Sequence, residues 1–85
     1  MLNGQITVSG ITQFPSVKCH AISIKAHPDN TDSIFIGDSA VSASTGYPLN
    51  AGEAVTLILD AGNINEVYAY PDVADEVLCW ILVDA

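Results

Sequence analysis

The side chains with the chemistry to ligate a metal or activate a nucleophile are few: His20, His27, Cys19 and Cys79 supply all the imidazoles and thiols of an 85-residue chain. A zinc site needs three or four ligands at workable spacing. Cys19 and His20 are adjacent, so on a strand their side chains point to opposite faces. His27 precedes Pro28 in a turn-forming stretch and reads as a surface residue. Asp29-Asn30-Thr31-Asp32 gathers oxygen ligands as calcium loops do, but without the EF-hand spacing, its glycine or its distal glutamate. A tight turn accounts for the same residues, because Asp and Asn bond their own backbone and tolerate left-handed geometry. The turn is the favoured reading over a weak calcium site.

Nucleophiles are plentiful and lack context. No Gly-x-Ser-x-Gly elbow and no glycine-rich phosphate loop occurs. A Cys–His dyad has nothing in the sequence to bring it together. Asp38, Glu53, Asp60 and Asp72 could in principle pair for glycoside hydrolysis. All four sit at expected strand ends and turns, where a solvated carboxylate is the default. A chain this short also offers little material for a pocket of about 300 Å³ or more. The expectation is a protein that is not an enzyme and carries no cofactor or metal.

Charge excludes further classes. Ten acidic residues face only Lys18 and Lys25, for a net charge of −8. Phosphate binding needs cations that displace counterions, so nucleic acid is not an expected partner. Anionic membrane surfaces are disfavoured for the same reason. The longest apolar run is Val77–Val83, far short of the ~20 residues of a membrane-spanning helix. Met1-Leu2-Asn3-Gly4 has neither a basic nor a long apolar segment, so no signal peptide is expected and the chain is assigned to the cytoplasm in which it is made. There Cys19 and Cys79 read as reduced, small, buried hydrophobes, with a disulfide the minority reading.

The elements that would position these groups are strands. Gly, Pro, Asn, Asp and Ser punctuate short runs rich in Val, Ile, Thr, Tyr and Phe. Strands are expected over Gln5–Ser9, Val17–Ala26, Ser33–Gly37, Glu53–Asp60, Asn65–Tyr70 and Glu76–Asp84. Phe14-Pro15-Ser16 reads as a bend and 27–32 as a turn. Residues 37–52 read as a long loop, functional or ordered by its own contacts. Asp72–Asp75 reads as an acidic turn. In the second strand, Val17, Cys19 and Ala21 share one face, whereas Ile22, Ile24 and Ala26 share the other. A bulge near Ala21, or cover on both faces, would reconcile them. The fold class that follows is all-β: residues 1–85 as a single small antiparallel β-sandwich or jelly-roll-like barrel.

One strand breaks the alternation expected of a sheet with one wet face. Val77, Cys79, Ile81 and Val83 occupy one side of it and Leu78, Trp80 and Leu82 the other. Either a loop screens its outer side or a neighbouring subunit does. A domain of this size buries only about 60–65% of its unfolded surface, yet 49% of its residues are hydrophobic. That excess favours the subunit. Among the aromatics, Phe35 and Trp80 read as core, Tyr68 and Tyr70 share a strand face, and Tyr47 sits in the long loop. Candidate subunit-interface residues are therefore Tyr47, Tyr68, Tyr70, Leu78, Trp80 and Leu82.

A pattern in the middle of the chain carries a resemblance. Lys25-Ala26, Asp29-Asn30-Thr31, Ile34-Phe35-Ile36-Gly37-Asp38-Ser39-Ala40-Val41-Ser42, Gly46-Tyr47-Pro48-Leu49, Ala51-Gly52-Glu53 and Val67-Tyr68-Ala69 follow in order. This resembles the small β-sandwich structural proteins of tailed-bacteriophage virions, of the capsid decoration (cement) type. The resemblance covers about the middle third of the chain, and the flanks more loosely. It implies a virion structural role without catalysis. The partners would be further copies of the chain, as a homotrimer or other small homo-oligomer, and the major capsid protein. The location would be the outer capsid surface. A tail, neck or fibre component engaged in attachment is the alternative, and cupin-like enzymes are a third, which would require a metal or a carboxylate pair in a cavity.

Overall fold

The structure, a computed structural model, describes residues 2–84. Its strands are β1 (Asn3–Val8), β2 (Thr12–Gln13), β3 (Ala21–Ala26), β4 (Ile34–Gly37), β5 (Tyr47–Leu49), β6 (Ala54–Ile58), β7 (Tyr68–Pro71) and β8 (Glu76–Asp84). They form two four-stranded sheets, ordered β1-β8-β3-β6 and β2-β7-β4-β5. Every neighbouring pair is antiparallel. The pairs β1–β8, β2–β7, β3–β6 and β4–β5 nest inside one another, as in one long hairpin with its tip between β4 and β5. Rolling that hairpin brings β8 beside β3 and β7 beside β4, which completes both sheets. This is the strand order of a jelly roll, so the expected small β-sandwich is found, in its jelly-roll form.

Local sequence explains most of the strands. Ile34 and Ile36 of β4 and Ile22, Ile24 and Ala26 of β3 are buried between the sheets, with Phe35, Ser23 and Lys25 turned outward. The register between β3 and β8 shifts between Ala21 and Ile22. The residue left over is Val83 of β8, so β3 itself carries no bulge; the expected Val17–Ala26 strand is shortened to Ala21–Ala26, and the change of phase in the sequence falls at the start of β3. Asn63 shortens the expected Asn65–Tyr70 strand: its side chain accepts a hydrogen bond from the Asn65 N–H at 2.9 Å and caps a 3-10 turn at Ile64–Glu66. The strand then begins at Tyr68 and runs through Pro71.

The core is filled by Val8, Phe14, Ile22, Ile24, Ile34, Leu49, Ile64 and Leu78, with the Trp80 ring at one side. Gly4 pairs with Trp80 across β1 and β8. A Cβ on Gly4 would stand 2.8 Å from Trp80 Cζ2, so only glycine leaves room for the indole. At one end of the roll the turns are tied together by Glu76, which is buried. Its carboxylate accepts from the Thr31 N–H, the Thr31 hydroxyl and the Asp32 N–H at 2.8–3.2 Å. The Asn30 side chain adds a reciprocal pair of bonds to the Val77 backbone, at 2.9 Å each. The residues that resemble a calcium loop thus have structural tasks, and most of their bonds go to β8 rather than into a common centre.

Candidate assembly face and inter-sheet cleft

The inner side of β8 carries Leu78, Trp80 and Leu82, all buried against the second sheet. These three candidate interface residues are core residues of the single chain. A buried side chain cannot offer a surface, so the part of β8 that meets solvent is its other side. There Val77 and Cys79 are half-buried, Ile81 is 42% exposed, and Val83, beside the register shift, is 53% exposed. β8 is a central strand, flanked by β1 and β3. No loop screens Ile81 or Val83, the reading that would have needed no partner.

Register places the neighbours of this stripe. Gln5, Cys79, Lys25 and Ala54 form one row across the sheet, and Asn3, Ile81, Ser23 and Thr56 the next. Ile58, 77% exposed, follows on β6. The face is therefore apolar or neutral-polar with one cation, Lys25. None of the acidic side chains described projects from it, although the chain carries ten acids against two lysines. Most of the acids lie in turns and loops: Asp29, Asp32, Glu53, Asp72 and Asp75 gather near the buried Glu76 of β8 at one end of the roll. Asp32 and Asp72 come close enough there to raise the Asp72 carboxyl above its ordinary range. The causes are a hydrogen bond to Asp32, repulsion by its charge and slight desolvation, in that order.

The outer face of the second sheet is built differently. Tyr68 and Tyr70 do share a face, as expected, and lie half-buried beside Gly37 and Phe35 in register. Phe35, expected in the core, sits on this outer face instead, paired with Pro48 on its other side. The segment 38–46 folds over that sheet. Val41 is buried, and a Cβ on Gly37 or Gly46 would come within 2.9 and 2.8 Å of its Cγ2. The segment holds itself by short-range bonds: Ala40 N–H to Asp38 Oδ1 at 2.9 Å, Val41 N–H to Asp38 O at 3.0 Å, and Gly46 N–H to Ser42 O at 2.9 Å. The long loop is thus ordered by its own contacts. It ends in β5, an element the sequence reading did not expect.

Tyr47, the remaining candidate, is 59% exposed at the mouth of a cleft between the two sheets. The cleft has a volume of about 410 Å³ and opens between β6 on one side and β4 and β5 on the other. Ile36, Val55, Leu57, Leu59 and Val67 line it, with Glu66 as its one carboxylate. The expectation that the chain is too short to form such a space is overturned. It arises because the edge strands β5 and β6 part, which exposes the inward side of β6. Chemically the lining is poor in reactive groups. Glu66 Oε2 already accepts from the Ala61 N–H at 2.9 Å. Cys19 is buried and donates to the Ala21 carbonyl, whereas Cys79 lies on the outer face of β8, so the two are not joined. Among the described residues no group of three or more His, Cys, Asp or Glu is arranged to hold a metal ion, and no helix is long and apolar enough to cross a membrane.

Compared with family models, curated proteins and solved structures, the chain matches none.

Proposed function

We propose that the protein is a non-enzymatic structural module that packs on other protein subunits through the outer face of the β1-β8-β3-β6 sheet. The observation that carries this reading is the distribution of charge. In a chain of net charge −8, none of the described acidic side chains lies on this sheet face, and Ile58, Ile81 and Val83 are exposed there. Depletion of charge over an apolar centre is the compositional mark of an interface core. The acids elsewhere keep the free chain soluble until it docks.

The specific form favoured by the sequence resemblance is a capsid decoration protein of a tailed phage. Copies of the chain, as a trimer or other small homo-oligomer, would bridge major capsid subunits on the outside of the shell. Two properties support this placement: low mass and a surface without the basic residues that a DNA-facing position would need. Fold alone adds nothing, since jelly rolls host many unrelated functions. Gel densitometry of purified virions tests the station. Many copies per particle, with shells less tolerant of heat once stripped, are expected. Stripped shells of equal robustness would remove the cement role. A second reading, an attachment component of tail or fibre, is favoured by Tyr47 exposed at the cleft mouth, and predicts few copies per particle.

A further inference from the structure

We infer that the β6 edge and the adjoining cleft accept an extended strand from another protein, a segment with alternating apolar side chains and cationic residues near its ends. This site uses the open backbone edge and inward side of β6, whereas the assembly face uses its outward side chains, so it can fail or hold independently of that reading.

The backbone of β6 comes first. Leu59 N–H donates to His20 O at 2.8 Å and Ala26 N–H to Glu53 O at 2.9 Å. In an antiparallel pair these exchanges recur at every second residue. The β3–β6 register then makes Val55 and Leu57 the residues bonded to β3. The N–H and C=O groups of Ala54, Thr56 and Ile58 point the other way, to the open edge. Such edges are ordinarily blunted by charge, proline, a bulge or shortness. β5 is three residues long and contains Pro48, and β2 is two residues long. β6, Ala-Val-Thr-Leu-Ile, has none of these protections.

The cleft supplies the second half. Val55 and Leu57 project inward from β6 and line it. A strand laid along the open edge would direct alternate side chains into the same space, against Ile36, Leu59 and Val67. Main-chain bonding along an edge, with pockets for alternate side chains, is how sheets recognise extended peptides.

Charge selects the occupant. Glu53 and Asp60 stand at the two ends of β6, and Glu66 lines the cleft. A second copy paired antiparallel about Thr56 would bring the Glu53 of each chain next to the Asp60 of the other. Like charges so placed repel. A partner strand with Lys or Arg near its termini meets those carboxylates favourably.

The test uses the intact protein and a blocked peptide, acetyl-Lys-Val-Thr-Val-Thr-Val-Lys-amide, with an analogue N-methylated along both edges. The two peptides have the same charge and side chains, and only one can complete a ladder from either edge. Amide exchange followed by NMR should slow at Ala54, Thr56 and Ile58 with the parent peptide, by tenfold or so at saturation, and not with the analogue. Thr56→Pro removes one edge donor and leaves the bonds to β3 in place, so it should weaken binding at least several-fold. Ile81→Lys, on the outer face, should leave it unchanged. Equal binding of both peptides, protection elsewhere on the molecule, or no binding at millimolar peptide would overturn the inference.

Discussion

The two sheets of this roll share a core and differ in how their outer sides are finished. The β2-β7-β4-β5 sheet has short edge strands, one with a proline, and the 38–46 segment folds over Phe35 with Val41 as a plug. The β1-β8-β3-β6 sheet has longer strands, open edges and an uncovered face with no carboxylate among its described side chains. One layer is closed by its own chain, and the other is left as a surface. In so small a domain, covering both sheets would take loops that the sequence does not contain. What is left bare is therefore where a partner has the most apolar area to gain.

The largest expected effect separates the two sides of β8. Trp80→Ala opens a cavity beside Gly4 and should cost about 3–5 kcal/mol, enough to unfold much of a domain this small. Ile81→Lys, one residue along and facing out, should change stability by no more than about 0.5 kcal/mol while weakening assembly. Urea unfolding measures the first term, and sedimentation of the chain alone and with the proposed partner subunits measures the second. If Ile81→Lys destabilised the isolated chain as much as Trp80→Ala, the outer face would not be bare.

A middle effect tests the covered sheet. A Cβ on Gly46 would stand 2.5 Å from Phe35 Cβ and 2.8 Å from Val41 Cγ2. Gly46→Ala should lift the 38–46 segment at a cost of about 1–3 kcal/mol, seen as a lowered Tm and faster amide exchange at Val41. An unchanged Tm would mean that the segment does not close that face.

The smallest effect concerns the acidic end. Asp32 raises the Asp72 carboxyl, so the folded chain holds that proton to a higher pH than the unfolded chain does. Stability from this group is present at low pH and declines as pH rises from the ordinary aspartate range through the raised value. At pH 7 the pair only repels. Asp72→Asn should raise Tm slightly at neutral pH and not near pH 3. Parallel Tm–pH curves for the two proteins would show that the carboxylates do not interact.

Much of this was legible in the residues. The change of phase at Ala21 marked where β3 begins, although the extra residue in the ladder lies on β8, and the 27–32 turn was plain from its composition. Two apolar sides on β8 were also plain. Which of them faces the core was not, because that depends on register with β1 and β3, strands about 75 and 55 positions away in the pairing. The bulkier set, Leu78, Trp80 and Leu82, went inside, where its area is worth most. Tyr47-Pro48-Leu49 gave no strand signal because three residues with a proline have none, and only pairing with β4 makes them one. The cleft belongs to no segment at all. It exists because two edges diverge, a property of the assembled sheets.

The nested pairing has a consequence for how the chain comes together. Each strand pair outward from the β4–β5 tip encloses more chain than the last, so the entropy of closing the ring between partners rises at every step. Neighbours in space are far apart along the chain, the condition under which two-state domains fold slowly. The tip is the cheapest contact to make, and β1 against β8 the dearest. The bare face is assembled around that outermost pair, and so the region with the most to offer a partner is also the one whose formation a partner would most assist.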